Sequence, residues 1–209
     1  MNEPVKSTRR QQLQEYKKQK ILEAAGALFR EKGLDGTTMR AIATRAGYST
    51  GAPYAYYQSK EEIYADLLSA SLARLTQFIK QEVQTQSTPP LRAATAVSAY
   101  FRYYFDHSED LQLGLYLFSP GEVKKRGFSK ETNQQLNSRL LGALGFMANC
   151  LNELPNVTPE QAQQETLDAT TYITGALMLS TTGRLETIGA QAEEMIDRYI
   201  QGMLQRISG

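Results

Sequence analysis

An all-α fold is predicted by three observations. Apolar residues recur at three- and four-residue spacing from Ile21 onward, helix-capping residues punctuate those runs, and no period-two apolar alternation bounded by turn residues occurs. The pattern divides into an N-terminal group of three helices and a larger helical remainder, about nine helices in all. At 209 residues the chain can bury a substantial core, as one large domain or two small ones.

Residues 1–15 lack periodicity and read as a flexible basic arm, in which Lys6, Arg9 and Arg10 either lie near a phosphate backbone or stay solvated. From Lys17 the pattern changes: Ile21, Leu22, Ala24, Ala25, Leu28 and Phe29 make a first helix, and Gly33 supplies the left-handed residue that closes it. Thr37 and Thr38 offer N-cap hydroxyls to a short second helix whose Met39, Ile42, Ala43 and Ala46 face one way, and Gly47 stops it. A third short helix begins at Ser49 or Thr50, with Pro53 acceptable because it falls in a first turn. Ser59 with Glu62 forms a capping box that opens a long helix through Ile63, Leu67, Leu68, Leu72, Leu75 and Ile79 to about Val83.

Beyond Pro89 and Pro90 the chain continues as helices. Ala96, Val97, Tyr100, Phe101, Tyr104 and Phe105 make one stripe, and residues 111–118 a short apolar segment ended by Ser119, Pro120 and Gly121. After a polar loop with Lys124, Lys125 and Arg126, a helix runs through Leu136, Leu140, Ala143, Leu144, Met147 and Leu151 to Leu154. Two more helices are expected over about 159–184 and 188–207, the last with two adjacent apolar stripes, one for its own core and one for a partner.

Charge is distributed unevenly beneath a net +1. Residues 1–60 hold 11 Lys+Arg against 5 Asp+Glu, or +6, and the remainder 12 against 17, or −5. A basic third joined to an acidic remainder suggests that one end meets a polyanion and that the other is a separate module. The expected organisation is an arm over 1–15, a basic helical domain over 16–75 with a motif at about 38–57, and a larger helical domain over 76–209.

Two short helices joined by a glycine turn and preceded by a supporting helix have the layout of a helix-turn-helix. The second short helix would enter the major groove, and small or hydrogen-bonding residues at its start, Ser49, Thr50, Gly51 and Ala52, let the backbone approach base edges. Thr37, Thr38, Arg40, Tyr54, Tyr56 and Lys60 complete the candidate DNA-contact set, as groups suited to phosphates. Tyr48 and Tyr57 read as core aromatics.

The stretch TTMRAIATRAGYSTGAPYAYYQSKEEIY resembles the TetR-family signature at Thr37, Thr38, Ile42, Ala43, Ala46, Gly47, Ser49, Gly51, Tyr54, Tyr57, Lys60 and Glu61. The resemblance covers the first third of the chain. It implies that residues 49–57 are the recognition helix, that Tyr54 makes a backbone contact, and that Lys60 pairs with a phosphate. Three positions depart from the family pattern: Pro53 stands where leucine is usual, Ala52 where threonine or serine is frequent, and Tyr57 where phenylalanine is typical.

The resemblance further implies a homodimeric repressor released from a palindromic operator on double-stranded DNA by a small apolar or aromatic effector; a ligand-responsive activator of the same fold is the alternative. Tyr100, Phe101, Tyr104, Phe105, His107, Tyr116, Phe118, Phe146, Met147 and Tyr172 could line an effector pocket or simply pack a core. Gly175, Leu179, Met195, Tyr199 and Met203 are the candidate dimer contacts, on two helices able to form a four-helix bundle with a second copy.

Other classes fit less well. One cysteine, Cys150, and one histidine, His107, make neither a disulfide nor a zinc set, so no metal is expected. With no evident nucleophile–base pair, glycine-rich phosphate loop or paired carboxylates, neither an enzyme (a helical small-molecule enzyme being the distant alternative) nor a cofactor is expected. No run of 18 apolar residues occurs and the N-terminal stretch is polar, so a membrane span and a signal peptide are not expected and a cytoplasmic location is. A nonspecific DNA-coating protein would carry far more positive charge.

Overall fold

The computed structural model describes residues 9–116 and 128–208, the side chains of Tyr116 and Ser208 excepted. The expected loop containing Lys124, Lys125 and Arg126, its preceding Ser119, Pro120 and Gly121, the pocket candidate Phe118 and residues 1–8 of the arm lie outside the described residues. Within them there are nine α-helices, one 3-10 helix and no strand. The helices are α1 (Arg9–Lys32), α2 (Met39–Arg45), the 3-10 helix (Ala52–Ala55), α3 (Lys60–Gln84), α4 (Pro89–Asp106) and α5 (Ser108–Tyr116). After the gap come α6 (Lys130–Asn152), α7 (Pro159–Thr181), α8 (Arg184–Thr187) and α9 (Ala192–Ser208). The chain divides into two compact units, one of Met1–Leu68 with Tyr116–Asn133 and one of Ser69–Leu115 with Gln134–Gly209.

In the first unit, residues 9–15 are helical rather than an irregular arm. This stretch holds no glycine or proline and consists of good helix formers, so it propagates α1 without burying anything; Leu13 is more than half exposed, which is why no apolar period marks it. The buried face of α1, Ile21, Ala25, Leu28 and Phe29, joins Ile42 and Ala43 of α2 and Ile63 and Tyr64 of α3 in one core. Phe29 meets Tyr64 edge to face at 5.5 Å between ring centroids. Gly33 sits at φ +69° and its N–H returns to the Phe29 carbonyl at 2.9 Å, the single-bond left-handed cap expected for α1.

The second unit is built on α4, α7 and α9, which pack against one another. Val97 and Ala96 of α4, Ile173 and Leu177 of α7, and Ile196 and Met203 of α9 are buried, with Leu75 and Ile79 of α3 and Met147 and Leu151 of α6. Thr158 opens α7 with a complete capping box to Gln161, and Pro159 stands in the first turn, where a missing N–H costs little. The last helix starts at Ala192, not Ile188: Gly183 and Gly189 adopt left-handed φ values of +67° and +70°, and these isolate the single turn of α8.

A buried carboxylate fastens three helices of this unit. Asp110 in the first turn of α5 accepts from Arg74 Nη2 of α3 at 2.7 and 3.0 Å and from the Tyr103 hydroxyl of α4. Burial, then the bond to Asp110, pushes the Tyr103 hydroxyl up to about 12. Asp110→Asn should keep the shape but lose the charge assistance, costing about 1 kcal/mol in urea unfolding. An unchanged midpoint would mean that Asp110 contributes little.

Candidate nucleic-acid interface

Helix α2 starts where the sequence places it, because Thr38 in extended conformation accepts the Ala41 N–H at 3.1 Å. It ends in a Schellman arrangement: Tyr48 N–H bonds the Ala43 carbonyl at 2.9 Å and Gly47 N–H the Thr44 carbonyl at 3.1 Å, with Gly47 at φ +75°. The following segment winds more tightly than expected. Residues 52–55 form a 3-10 helix, with Ala52 N–H on the Ser49 carbonyl at 2.9 Å and Tyr54 N–H on the Gly51 carbonyl at 3.2 Å. Pro53 has no N–H to give Ser49 an α-helical bond, and Gly51 is a poor helix former, so the i to i+3 pattern prevails. Pro53 itself is buried and anchors the turn.

The outer surface of this unit carries much of the predicted set. Thr38, Arg40, Ser49, Thr50, Gly51 and Tyr54 are exposed, and Ala52 and Tyr56 half-buried. Among the described residues the Arg40 guanidinium has no partner, whereas Arg45 pairs with Glu31 of α1 at 2.7 Å. Gly51 has φ −82° and nothing within 4 Å of where a Cβ would stand. The fold therefore does not require glycine there, and its small size remains available for close approach by a ligand.

Two residues of the expected phosphate-contact set are engaged within the fold itself. Thr37 is buried and donates its hydroxyl to the Gly33 carbonyl at 2.8 Å, so it closes the α1–α2 turn. Lys60 donates to the carbonyls of Leu34 at 2.6 Å and Thr37 at 2.9 Å, and at 3.4 Å to that of Asp35. The turn leaves these carbonyls without backbone donors, and an ammonium carries three protons on one centre.

Sequence reasoning missed Gly36, whose added Cβ would lie 2.3 Å from the Lys32 carbonyl oxygen, and nothing in its local pattern signals that approach. It also missed the brace behind the 3-10 turn. Tyr57, buried as expected, donates to Asp66 at 2.6 Å, and Lys18 pairs with Asp66 at 3.1 Å. Burial, then the bond to Asp66, raises the Tyr57 hydroxyl above its ordinary value.

In the other unit the eight pocket candidates with described side chains do not share one surface. Tyr100, Phe101, Tyr104 and Met147 are buried, Phe146 is half-buried, and Phe105, His107 and Tyr172 are exposed. The α4 stripe is tied up in ring contacts, Tyr100 on Tyr104 at 5.1 Å and Phe101 on Phe105 at 5.2 Å. Tyr116 contributes only its backbone to the description, and Tyr172 stacks on Tyr199 at 4.6 Å. Of the dimer candidates, Gly175 and Leu179 are exposed and Met195 and Tyr199 half-buried. Met203 is wholly buried within its own chain, because it faces the first of the two apolar stripes of α9, and it cannot reach a partner.

Among the described residues no group of three or more His, Cys, Asp or Glu could hold a metal ion, and no helix is long and apolar enough to cross a membrane.

The sequence profile described as bacterial regulatory proteins, tetR family, matches residues 21–67, the stretch that contains α2, the 3-10 helix and the start of α3. The transcriptional repressor KstR2 of Mycobacterium tuberculosis is 36% identical over 87 residues, 42% of this chain and 44% of that protein. The fatty acid metabolism regulator protein of Bacillus subtilis is 25% identical over 134 residues, 64% of this chain and 65% of that protein. The chain thus spans less than two thirds of either relative. The fold is that of the regulator FadR from Bacillus subtilis, solved in complex with stearoyl-CoA: TM-score 0.66 at 17% identity, over 91% of this chain and 98% of that one.

Proposed function

We propose that the chain, whose residues 21–67 match the profile of the tetR family of bacterial regulatory proteins, is a homodimeric, sequence-specific repressor released from a palindromic operator by a small-molecule effector. The observation that carries the DNA-binding part is the bare, glycine-containing start of the 3-10 turn. Thr50 and Gly51 are exposed beside Ser49, with the free Arg40 on the preceding helix, which suits entry into a major groove between flanking phosphates. Arg40, Thr38 and the Tyr54 and Tyr56 hydroxyls hold the backbone, and Thr50 reads bases. With few side chains at the reading surface, DNA shape supplies part of the specificity.

Dimerisation is assigned to α7 and α9. Leu167, Gly175, Met178 and Leu179 are exposed on α7, an apolar surface of the kind a second copy covers, and small Gly175 permits close approach. Two-fold pairing calls for operator half-sites about one DNA turn apart or more, ~34 Å. The effector is proposed to be partly apolar, a reading supported by the stearoyl-CoA held by the FadR relative, and its binding to alter the separation of the two recognition turns. A cytoplasmic site of action follows from DNA as the partner.

Selection from a random duplex pool tests the proposal: an inverted repeat should be enriched, and a pool without any enriched motif would contradict it. On the selected duplex, Tyr54→Phe should weaken binding about equally for all sequences and Thr50→Ala should change the base preference, both read by competition anisotropy. The reverse pattern would mean that the register of the reading turn is wrong.

A further inference from the structure

We propose that the groove between α3 and α6 binds the anionic head of a partly apolar small molecule through Lys80 and Arg139, a reading that rests on the effector part of the function above. The groove encloses about 510 Å³, within the usual range for small-molecule sites, with Leu72 and Gly142 as apolar wall and Gln77 and Gln81 as amide donors. No carboxylate lines it. In the same unit Arg74 holds Asp110, Arg92 holds Glu153, Arg102 holds Glu82, Arg198 approaches Glu194 and Arg206 holds Glu165, whereas Arg139, like Arg184, has no carboxylate partner among the described residues. Among the described residues Lys80 and Arg139 have no carboxylate at all, although residues 61–209 carry more acid than base. Two cations facing one concavity without a counter-charge leave a positive potential that an entering anion would relieve.

The geometry also orients the grip. The Lys80 ammonium stands 5.5 Å from the centroid of the Phe146 ring, so an aromatic face fixes its position without neutralising it. Gly142 has nothing within 4 Å of a notional Cβ, which leaves the α6 side of the groove open to a ligand. A guanidinium and an ammonium with amides nearby suit a phosphate or a carboxylate equally well, and the apolar wall asks for a hydrocarbon portion next to it.

Calorimetric titration of the full chain with dodecyl phosphate, dodecanoate and dodecanol below their aggregation limits tests the site. One or both anions should bind about tenfold or more tightly than the neutral alcohol, and the stronger of the two identifies the head group. Lys80→Met and Arg139→Met, both on exposed side chains, should each weaken the anion about tenfold and leave the alcohol unchanged, with Arg139→Lys retaining part of the affinity. Binding of neither anion, equal affinity in wild type and variants, or inorganic phosphate binding as well as dodecyl phosphate would each overturn the proposal. Ligand-free duplex binding, measured on the same samples, should be unaffected by these substitutions. Absence of specific duplex binding in the wild type would refute the regulator reading and leave the groove result standing.

Discussion

Lys60→Met is expected to lower the unfolding free energy by about 2–3 kcal/mol while changing the salt dependence of DNA binding very little. The ammonium satisfies the carbonyls of Leu34 and Thr37 at 2.6 and 2.9 Å, with a longer approach to Asp35. Methionine preserves the stem and its packing but donates nothing, so these carbonyls must turn to water, and the turn presenting Thr38 to α2 loosens. A lysine whose main partner was a DNA phosphate would behave in the opposite way: normal stability, a uniform loss of affinity, and a salt slope reduced by about one unit. Urea unfolding and anisotropy at several salt concentrations, run on the same variant, separate the two roles. Unchanged stability with a reduced slope would restore the phosphate assignment.

Gly36→Ala should cost about 1–3 kcal/mol, although Gly36 lies outside every helix and is not among the positive-φ glycines. Its added methyl would meet the Lys32 carbonyl oxygen at 2.3 Å and the Lys32 Cβ at 3.1 Å. Both atoms belong to the end of α1, so no flexible side chain can swing away. Relief must come from the turn itself, which carries Thr37 and Thr38, and DNA affinity should fall together with stability. Gly33→Ala is the useful comparison. There the space is open and the penalty comes only from the left-handed φ of +69°, about 1–2 kcal/mol, with the turn geometry preserved. If Gly36→Ala unfolds at the wild-type midpoint, the close approach is not a constraint on the fold.

These two residues also mark where sequence reasoning stops. Features that act within one turn of the chain were legible: Gly33 and Gly47 are left-handed where each helix had to end, and Thr38 caps α2. Ser59 caps α3, accepting the Glu62 N–H at 3.3 Å. The helical class and the helix-turn-helix layout follow from such signals. The role of Lys60 depends on carbonyls 23 to 26 residues earlier, and residue type cannot distinguish a waiting carbonyl from a waiting phosphate. The tight winding of residues 52–55 is half-visible in the sequence, since Pro53 lacks the N–H that an α-helical bond to Ser49 needs. In the second unit the aromatic stripe of α4 proved to be packed mostly against itself and the core. Periodicity reports which residues leave solvent, and both a cavity wall and a packed core satisfy it. The α3–α6 groove has no aromatic signature, only an unmatched pair of cations that become neighbours through folding.

The central claim, a two-fold pair of turns reading an inverted repeat, is tested most directly by one titration. Fluorescence anisotropy of the full chain would compare the selected inverted repeat with the same duplex carrying one half-site scrambled, over a range of salt concentrations. The account predicts one dimer per repeat, affinity for the intact repeat about 10³-fold or more above nonspecific duplex, and a steep loss of affinity as salt rises. Equal affinity for the intact and half-scrambled duplexes, or binding that ignores salt, would contradict it.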